Sequence, residues 1–123
     1  MSYCSDVALI LNLDVVGQFE QFIEQDEELR NFIDCCKQRL TSTNGSKLYY
    51  WRYISWQLSY RPIEIIEIFM DQLDEESLSI KYLFIRMGES WNDVEYRGEY
   101  GDLYGENPFR LEFIRDIRFP GMA

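Results

Sequence analysis

The fold is decided by a nine-residue stretch, LYYWRYISW at positions 48–56. Aromatic and β-branched residues of this kind favour a pleated strand, and alternate residues of a strand point to opposite faces. Arg52 interrupts the alternation. The expected core face carries Leu48, Tyr50, Ile54 and Trp56. The expected opposite face, which at a sheet edge would favour a dimer, carries Tyr49, Trp51 and Tyr53.

The residues before this strand predict another strand and one or two helices. The apolar run at 7–11 reads as a buried strand, and Asp14 follows as the cap of an amphipathic helix. Asp26 caps a second apolar stripe that continues to Leu40, either as a separate helix or as the continuation of a kinked one. The turn formers at 41–46, which include Asn44-Gly45, reverse the chain.

The residues after it predict one helix and three strands. Pro62 opens a helix with apolar residues at helical spacing up to Leu73, and acidic residues close it at 74–77. Strands are expected at 80–87, 91–97 and 111–119, with a turn at 88–90 and a loop at 98–108. Within 91–97 the alternation assigns apolar and charged side chains to opposite faces.

This order of elements predicts a single α+β domain over residues 1–123. We expect a mostly antiparallel sheet of about five strands, with two or three helices packed on one face. The length of 123 residues fits one domain, and a content of 46% hydrophobic and 16% aromatic residues is too apolar for a disordered chain. Since no apolar stretch is long enough to cross a bilayer, a soluble, unprocessed protein is expected.

The net charge of the chain limits the kinds of macromolecule that it is expected to bind. Twenty-two acidic residues against 12 basic ones give a net charge of −10. Binding to a phosphate backbone depends on basic residues, so nucleic acid and anionic membranes are disfavoured as direct partners. An acidic surface attracts basic proteins, although it also keeps a small protein soluble without any partner.

Catalytic residue types are scarce. The chain contains no histidine, which excludes Ser-His-Asp and Cys-His catalysis. Its three cysteines, at positions 4, 35 and 36, form no spaced framework, so reduced thiols and a cytoplasmic location are expected. No glycine-rich phosphate loop is present, and we expect no cofactor and no enzymatic activity.

One carboxylate group leaves a metal-dependent enzyme open as an alternative. Asp93, Glu95 and Glu99 share a strand face with Arg97 and could converge on Mg²⁺ or Mn²⁺. The motif Glu95-Tyr96-Arg97 resembles the carboxylate-x-basic strand of metal-dependent nucleases, but the further aspartate and the basic cleft of that family are missing. Pairing of Arg86 and Arg97 with carboxylates across the hairpin is the favoured interpretation.

The predicted binding surface combines acidic and aromatic residues. Acidic residues two apart on a strand are roughly 7 Å apart, which also suits imitation of a nucleic-acid backbone. The loop that follows mixes aromatic anchors with glycines, a composition typical of recognition surfaces. The predicted partner-binding residues are Glu89, Trp91, Asp93, Glu95, Glu99, Tyr100, Asp102 and Tyr104.

The segments FIRMGE at 84–89, NDVEYRG at 92–98 and IRDIRF at 114–119 resemble a pattern in small acidic phage and prophage proteins of unassigned role. The resemblance covers about the last third of the chain. It implies a phage accessory protein in the bacterial cytoplasm that binds and blocks a host defence or regulatory protein, and it carries over no catalytic residue. Together with the acidic charge, this predicts a non-enzymatic module that covers the basic surface of a host protein, of defence or nucleic-acid binding. An immunity protein that covers a basic nuclease toxin is the alternative, and either could be a monomer or a homodimer.

Overall fold

Five strands and three α-helices make up the part of the chain that the computed structural model describes, residues 3–101 and 109. The strands are β1 (Ser5–Leu11), β2 (Gln38–Thr41), β3 (Lys47–Ile54), β4 (Tyr82–Gly88) and β5 (Val94–Gly98). The helices are α1 (Leu13–Gln25), α2 (Glu27–Asp34) and α3 (Arg61–Glu75), and a 3₁₀ turn at Ser79–Lys81 precedes β4.

The strands form one antiparallel sheet in the order β2-β3-β1-β4-β5. The central strand β1 is apolar throughout its second half because both of its faces are covered. The predicted α+β class is therefore confirmed. The fifth strand is β2, whereas the strand predicted at 111–119 lies outside the described residues.

The main core lies between the sheet and all three helices. Val7 and Leu9 of β1 pack there against Phe19 of α1, Leu29 of α2 and Phe69 of α3. A smaller cluster on the other face of the sheet is formed by Ala8, Ile10, Leu48 and Tyr100, with Phe109 packed against it. Alternate residues of β1 thus supply the two cores, as the two-residue period of a strand requires.

The predicted facing of β3 is wrong for Tyr49 and Trp51, whereas Ile54 and Trp56 pack against the main core as predicted. Tyr49 and Trp51 are buried in the main core, and the Trp51 Nε1 donates to the Phe32 carbonyl oxygen over 2.9 Å. Leu48 packs on the other face. Tyr53 has a φ of 55°, which breaks the alternation and returns Ile54 to the helix side. A dimer built on Tyr49 and Trp51 therefore has no surface to use.

Two helix boundaries also differ from the sequence predictions. The cap of α1 is Asn12, which accepts from the Asp14 backbone N–H over 2.9 Å, whereas Asp26 caps α2 as expected. The second helix ends at Asp34 and does not reach Leu40. The residues that follow form β2, because the turn at 42–46 folds them back against β3 and this tertiary pairing overrides their helical spacing.

The pairing of β1 with β3 and β4 places the connecting loops at two opposite ends of the sheet. Ser5 pairs with Ile54 and Gly88 at one end, which we call the Trp91 end, and Leu11 pairs with Lys47 and Tyr82 at the other. The Trp91 end carries residues 3–4 and the loops 55–60 and 89–93. It also carries the junction of α1 and α2, because Asp26 at this junction pairs with Arg61, the first residue of α3, over 2.6 Å.

Candidate functional site

The turn between β4 and β5 presents the most exposed large apolar side chain among the described residues. Trp91, at 78% relative exposure, lies in this turn. Two backbone hydrogen bonds fix the turn, from the Gly88 N–H to the Asp93 carbonyl over 2.8 Å and from the Asp93 N–H to the Ser90 carbonyl over 3.0 Å. Trp91 is therefore held out by an ordered backbone.

The N-terminal residues brace the same turn. The Tyr3 hydroxyl donates to Asp93 Oδ2 over 2.6 Å and accepts from the Ser90 N–H over 3.0 Å. The Cys4 N–H donates to Glu89 Oε2 over 3.3 Å. These long-range contacts, together with the backbone bonds, restrict the turn before any partner arrives.

Arg86 pairs with two of the predicted contact acids. Its guanidinium lies 2.8 Å from Asp93 Oδ1 and 3.0 Å from Glu95 Oε1, and it donates to the Ser5 hydroxyl over 3.0 Å. The hydrogen bond to Asp93 is the main reason that the pKa of Arg86 is raised. Asp93 and Glu95 therefore share one guanidinium, and this internal cluster offers a partner one net negative charge in place of two.

Arg97 contacts α3, and the expected pairing across the hairpin is wrong for this residue. It lies 2.7 Å from Glu67 and 2.9 Å from each of Asp71 and Asp74. The Trp56 Nε1 donates to the same Glu67 over 2.9 Å. This cluster ties the edge strand β5 to the helix layer, while the pairing predicted for Arg86 is confirmed.

The remaining predicted contact residues do not lie with Trp91. Glu99 and Tyr100 follow the far end of β5, roughly 20 Å from Asp93 at the usual rise per strand residue. Tyr100 is 6% exposed, and its hydroxyl lies 2.8 Å from the buried Ser46 Oγ. It is a core residue and no anchor for a partner. Asp102 and Tyr104 lie outside the described residues. The structure thus brings together Glu89, Trp91, Asp93 and Glu95.

Further exposed apolar residues, which were not among the predicted partner-binding residues, lie at the Trp91 end. Tyr53 is 72% exposed at the end of β3, and Leu58 is 62% exposed in the loop that follows. Tyr60, before α3, is also exposed. The sequence after the strand alternates polar and apolar residues and does not mark Leu58 or Tyr60 as exposed, and the left-handed backbone at Tyr53 is a feature of the structure alone.

Most of the free acidic charge at this end comes from the helices. At the Trp91 end, five exposed glutamates have no ion-pair partner within residues 3–101 and 109, four on helices (Glu24, Glu27, Glu28 and Glu64) and Glu89 in the turn. Asp26 lies between Glu24 and Glu27 in the chain but, unlike them, has an ion-pair partner. The hydrogen bond from the Leu29 N–H, and then that from the Arg61 guanidinium, lower the pKa of its carboxyl. The acidic charge predicted on the hairpin is therefore supplied mainly by the α1–α2 junction and the first turn of α3, with Glu89 as the contribution of the hairpin turn.

Over 3–101 and 109, no three Cys, Asp or Glu side chains form a group that could hold a metal ion. No described helix has the length and apolar character needed to span a bilayer. A groove of about 200 Å³ between α1 and α3 is lined by Gln18, Gln21, Phe22, Gln25 and Gln72, none of which is a nucleophile or a general base.

Comparisons with models of protein families, with curated proteins and with solved structures give no match to this chain. The geometry of the described residues is therefore the basis for the functional proposal.

Proposed function

We propose that the protein is a non-enzymatic binding module that covers a basic surface of another protein with its Trp91 end. The observation that carries the proposal is the 78% exposure of Trp91 on a turn that hydrogen bonds hold in place. Tryptophan is enriched among residues that dominate binding energy, and an anchor that is already ordered loses less entropy on association.

The charge around this anchor supports a basic partner. Glu89 lies beside Trp91 in the turn, and Glu27, Glu28 and Glu64 lie on the helices at the same end. Such a rim speeds encounter with a positively charged surface and repels an acidic one. Asp93 belongs to the proposed site as a residue that fixes the turn. Its carboxylate is paired with Arg86, so it is not proposed as a direct contact for the partner.

The resemblance to small phage proteins suggests the kind of partner. We propose a host protein, of defence or nucleic-acid binding, whose basic face is blocked when the Trp91 end covers it. An inhibitor that covers a nucleic-acid-binding site does not have to catalyse a reaction. This mode of action therefore fits a chain that contains no histidine.

The anchor is tested by Trp91→Ala, with Tyr96→Ala as a control because Tyr96 is also an exposed aromatic residue but lies on β5. The tagged chain would capture its partner from bacterial lysate, and calorimetry would then measure each variant against the purified partner. Trp91→Ala should weaken affinity about 30-fold, a loss of about 2 kcal/mol typical of a hot spot. Equal affinity of the two variants would remove Trp91 from the interface.

The charge is tested by neutralising matched pairs of glutamates. Glu27→Gln with Glu28→Gln removes two charges at the Trp91 end, whereas Glu75→Gln with Glu76→Gln removes two at the opposite end of α3. The first pair should slow association and flatten its salt dependence, and the second should change both less. Identical effects of the two pairs would mean that net charge, and no particular surface, steers the partner.

A further inference from the structure

Among the described residues, the strand β2 lies at an edge of the sheet and has one unpaired side. Within the described residues it pairs only with β3, and all four of its residues are exposed. An edge strand with a free side presents backbone groups that another extended segment can use.

An apolar row across the sheet stops at this edge. The register aligns Leu40 with Leu48, Leu48 with Ile10, and Ile10 with Leu83. Ile10 is fully buried and Leu48 is 6% exposed, but Leu40 is 46% exposed. An apolar side chain on an added strand would extend the row and cover Leu40.

The charge beside this edge is opposite to that of the whole protein. The segment 35–63 contains no acidic residue, although the chain has 22 of them. Its five bases are Lys37, Arg39, Lys47, Arg52 and Arg61.

The two bases on or beside β2 are only weakly neutralised by carboxylates. Lys47 pairs with Glu20 over 2.9 Å and Arg61 pairs with Asp26. Lys37 has no carboxylate partner in the described part of the chain, and Arg39 lies 3.3 Å from an Asp34 side chain that is 72% exposed. An exposed pair of this kind is weak, so Lys37 and Arg39 can each bind another carboxylate.

We propose that the β2 edge accepts an extended, acidic segment of a partner protein as a sixth strand. Carboxylates of that segment would pair with Lys37 and Arg39, and an apolar side chain would lie beside Leu40. A second copy of this chain suits the edge less, because joining two β2 strands brings Lys37 and Arg39 of both copies together. The proposal does not depend on the Trp91 end.

The test uses defined probes at low salt. A blocked seven-residue peptide of alternating glutamate and valine is titrated into the labelled protein, and amide NMR shifts and exchange rates are followed. The glutamate peptide should shift and protect the amides of 37–41, and a lysine–valine peptide should not. Arg39→Glu should weaken binding of the glutamate peptide about fivefold or more, as expected for loss and reversal of an exposed pair.

The matched control is Arg52→Glu, because it makes the same charge change in the acid-free segment but on β3. This variant should bind the glutamate peptide within about twofold of the parent chain. Unprotected β2 amides, protection at 94–98 instead, or an equal loss from both variants would overturn the proposal. So would a concentration-dependent dimer that protects the same amides without peptide, since a second copy would then be the occupant.

Discussion

At the scale of single residues, Gly98 adopts a backbone conformation that other residues rarely tolerate. Its φ is +83°, and a Cβ there would lie 2.1 Å from the Tyr82 carbonyl oxygen. Because this oxygen belongs to the backbone of β4, it cannot move aside cheaply. Gly98→Ala should lower the free energy of unfolding by about 2 kcal/mol or more, measured by urea denaturation.

Gly17 supplies the control for this prediction. It is exposed on α1, and a Cβ there would meet no heavy atom within 4 Å. Gly17→Ala should therefore stabilise the protein by up to about 1 kcal/mol through helix propensity. If Gly98→Ala were as stable as the parent chain, the Gly98 backbone could not lie so close to the Tyr82 carbonyl oxygen.

The single carboxyl of Asp26 should make part of the stability depend on pH. The Leu29 N–H and then Arg61 lower its pKa in the folded state, so its contribution is present above the unfolded pKa of about 3.9 and is lost as pH falls through the folded value. Asp26→Asn keeps a good helix cap but removes the charge. The variant should be less stable at pH 7, and the difference should shrink below about pH 4.

Thermal unfolding of both proteins between pH 2.5 and pH 7 checks this expectation. In an Arg61→Gln background the same Asp26→Asn change should cost less, because the ion pair is already gone. A stability difference that stayed constant over the whole pH range would show that the charge of Asp26 has no part in it.

At the scale of elements, Arg97 joins the edge strand β5 to α3. Its guanidinium contacts Glu67, Asp71 and Asp74, and its side chain is only 20% exposed. Arg97→Met would leave the half-buried Glu67 without its base and should cost about 2 kcal/mol, with faster amide exchange along β5. Arg52→Met, at an exposed base, should stay within about 0.5 kcal/mol of the parent. Similar losses in the two variants would show that the contacts of Arg97 do not hold β5 against α3.

The helices were predictable because their signals are local. Pro62 and the apolar spacing after it place α3, and Asp26 marks the start of α2. The strand β2 could not be predicted, because Leu40 continues a helical spacing and only pairing with β3 overrides it. The facing of β3 could not be predicted either, since both of its faces are aromatic and the φ of Tyr53 shifts the alternation.

The candidate site was predictable only where it is continuous in sequence. The turn with Glu89 and Trp91 was identified from its residue types, and the pairing of Arg86 followed from strand alternation. The acidic rim lies on elements far apart in the chain, at 24–28 and at Glu64, and only the path of α1 and α3 over the sheet brings it to the same end.

At the scale of the whole molecule, acidic and basic residues are segregated. Most of the free glutamates at the Trp91 end lie on the helices, whereas the acid-free segment 35–63 supplies β2 and β3. Because charges on exposed surfaces are screened beyond about 8 Å at physiological salt, a partner at either surface senses the local charge more than the total of −10. One small domain can thus present two surfaces that select ligands of opposite charge.

The same screening decides how α3 responds to a change of charge. Glu64 lies in its first turn, where the helix dipole favours an acid, while Glu75 lies in the last turn, which holds no base. Either Glu→Lys change makes the net charge less negative by two. If repulsion over the whole molecule dominated, both changes would stabilise the protein.

We expect the two changes to have opposite effects instead. Glu75→Lys should raise the free energy of unfolding by about 0.5 kcal/mol and Glu64→Lys should lower it by a similar amount, measured by urea denaturation at low salt. Both differences should decrease as salt is added, because screening weakens the interaction with the dipole.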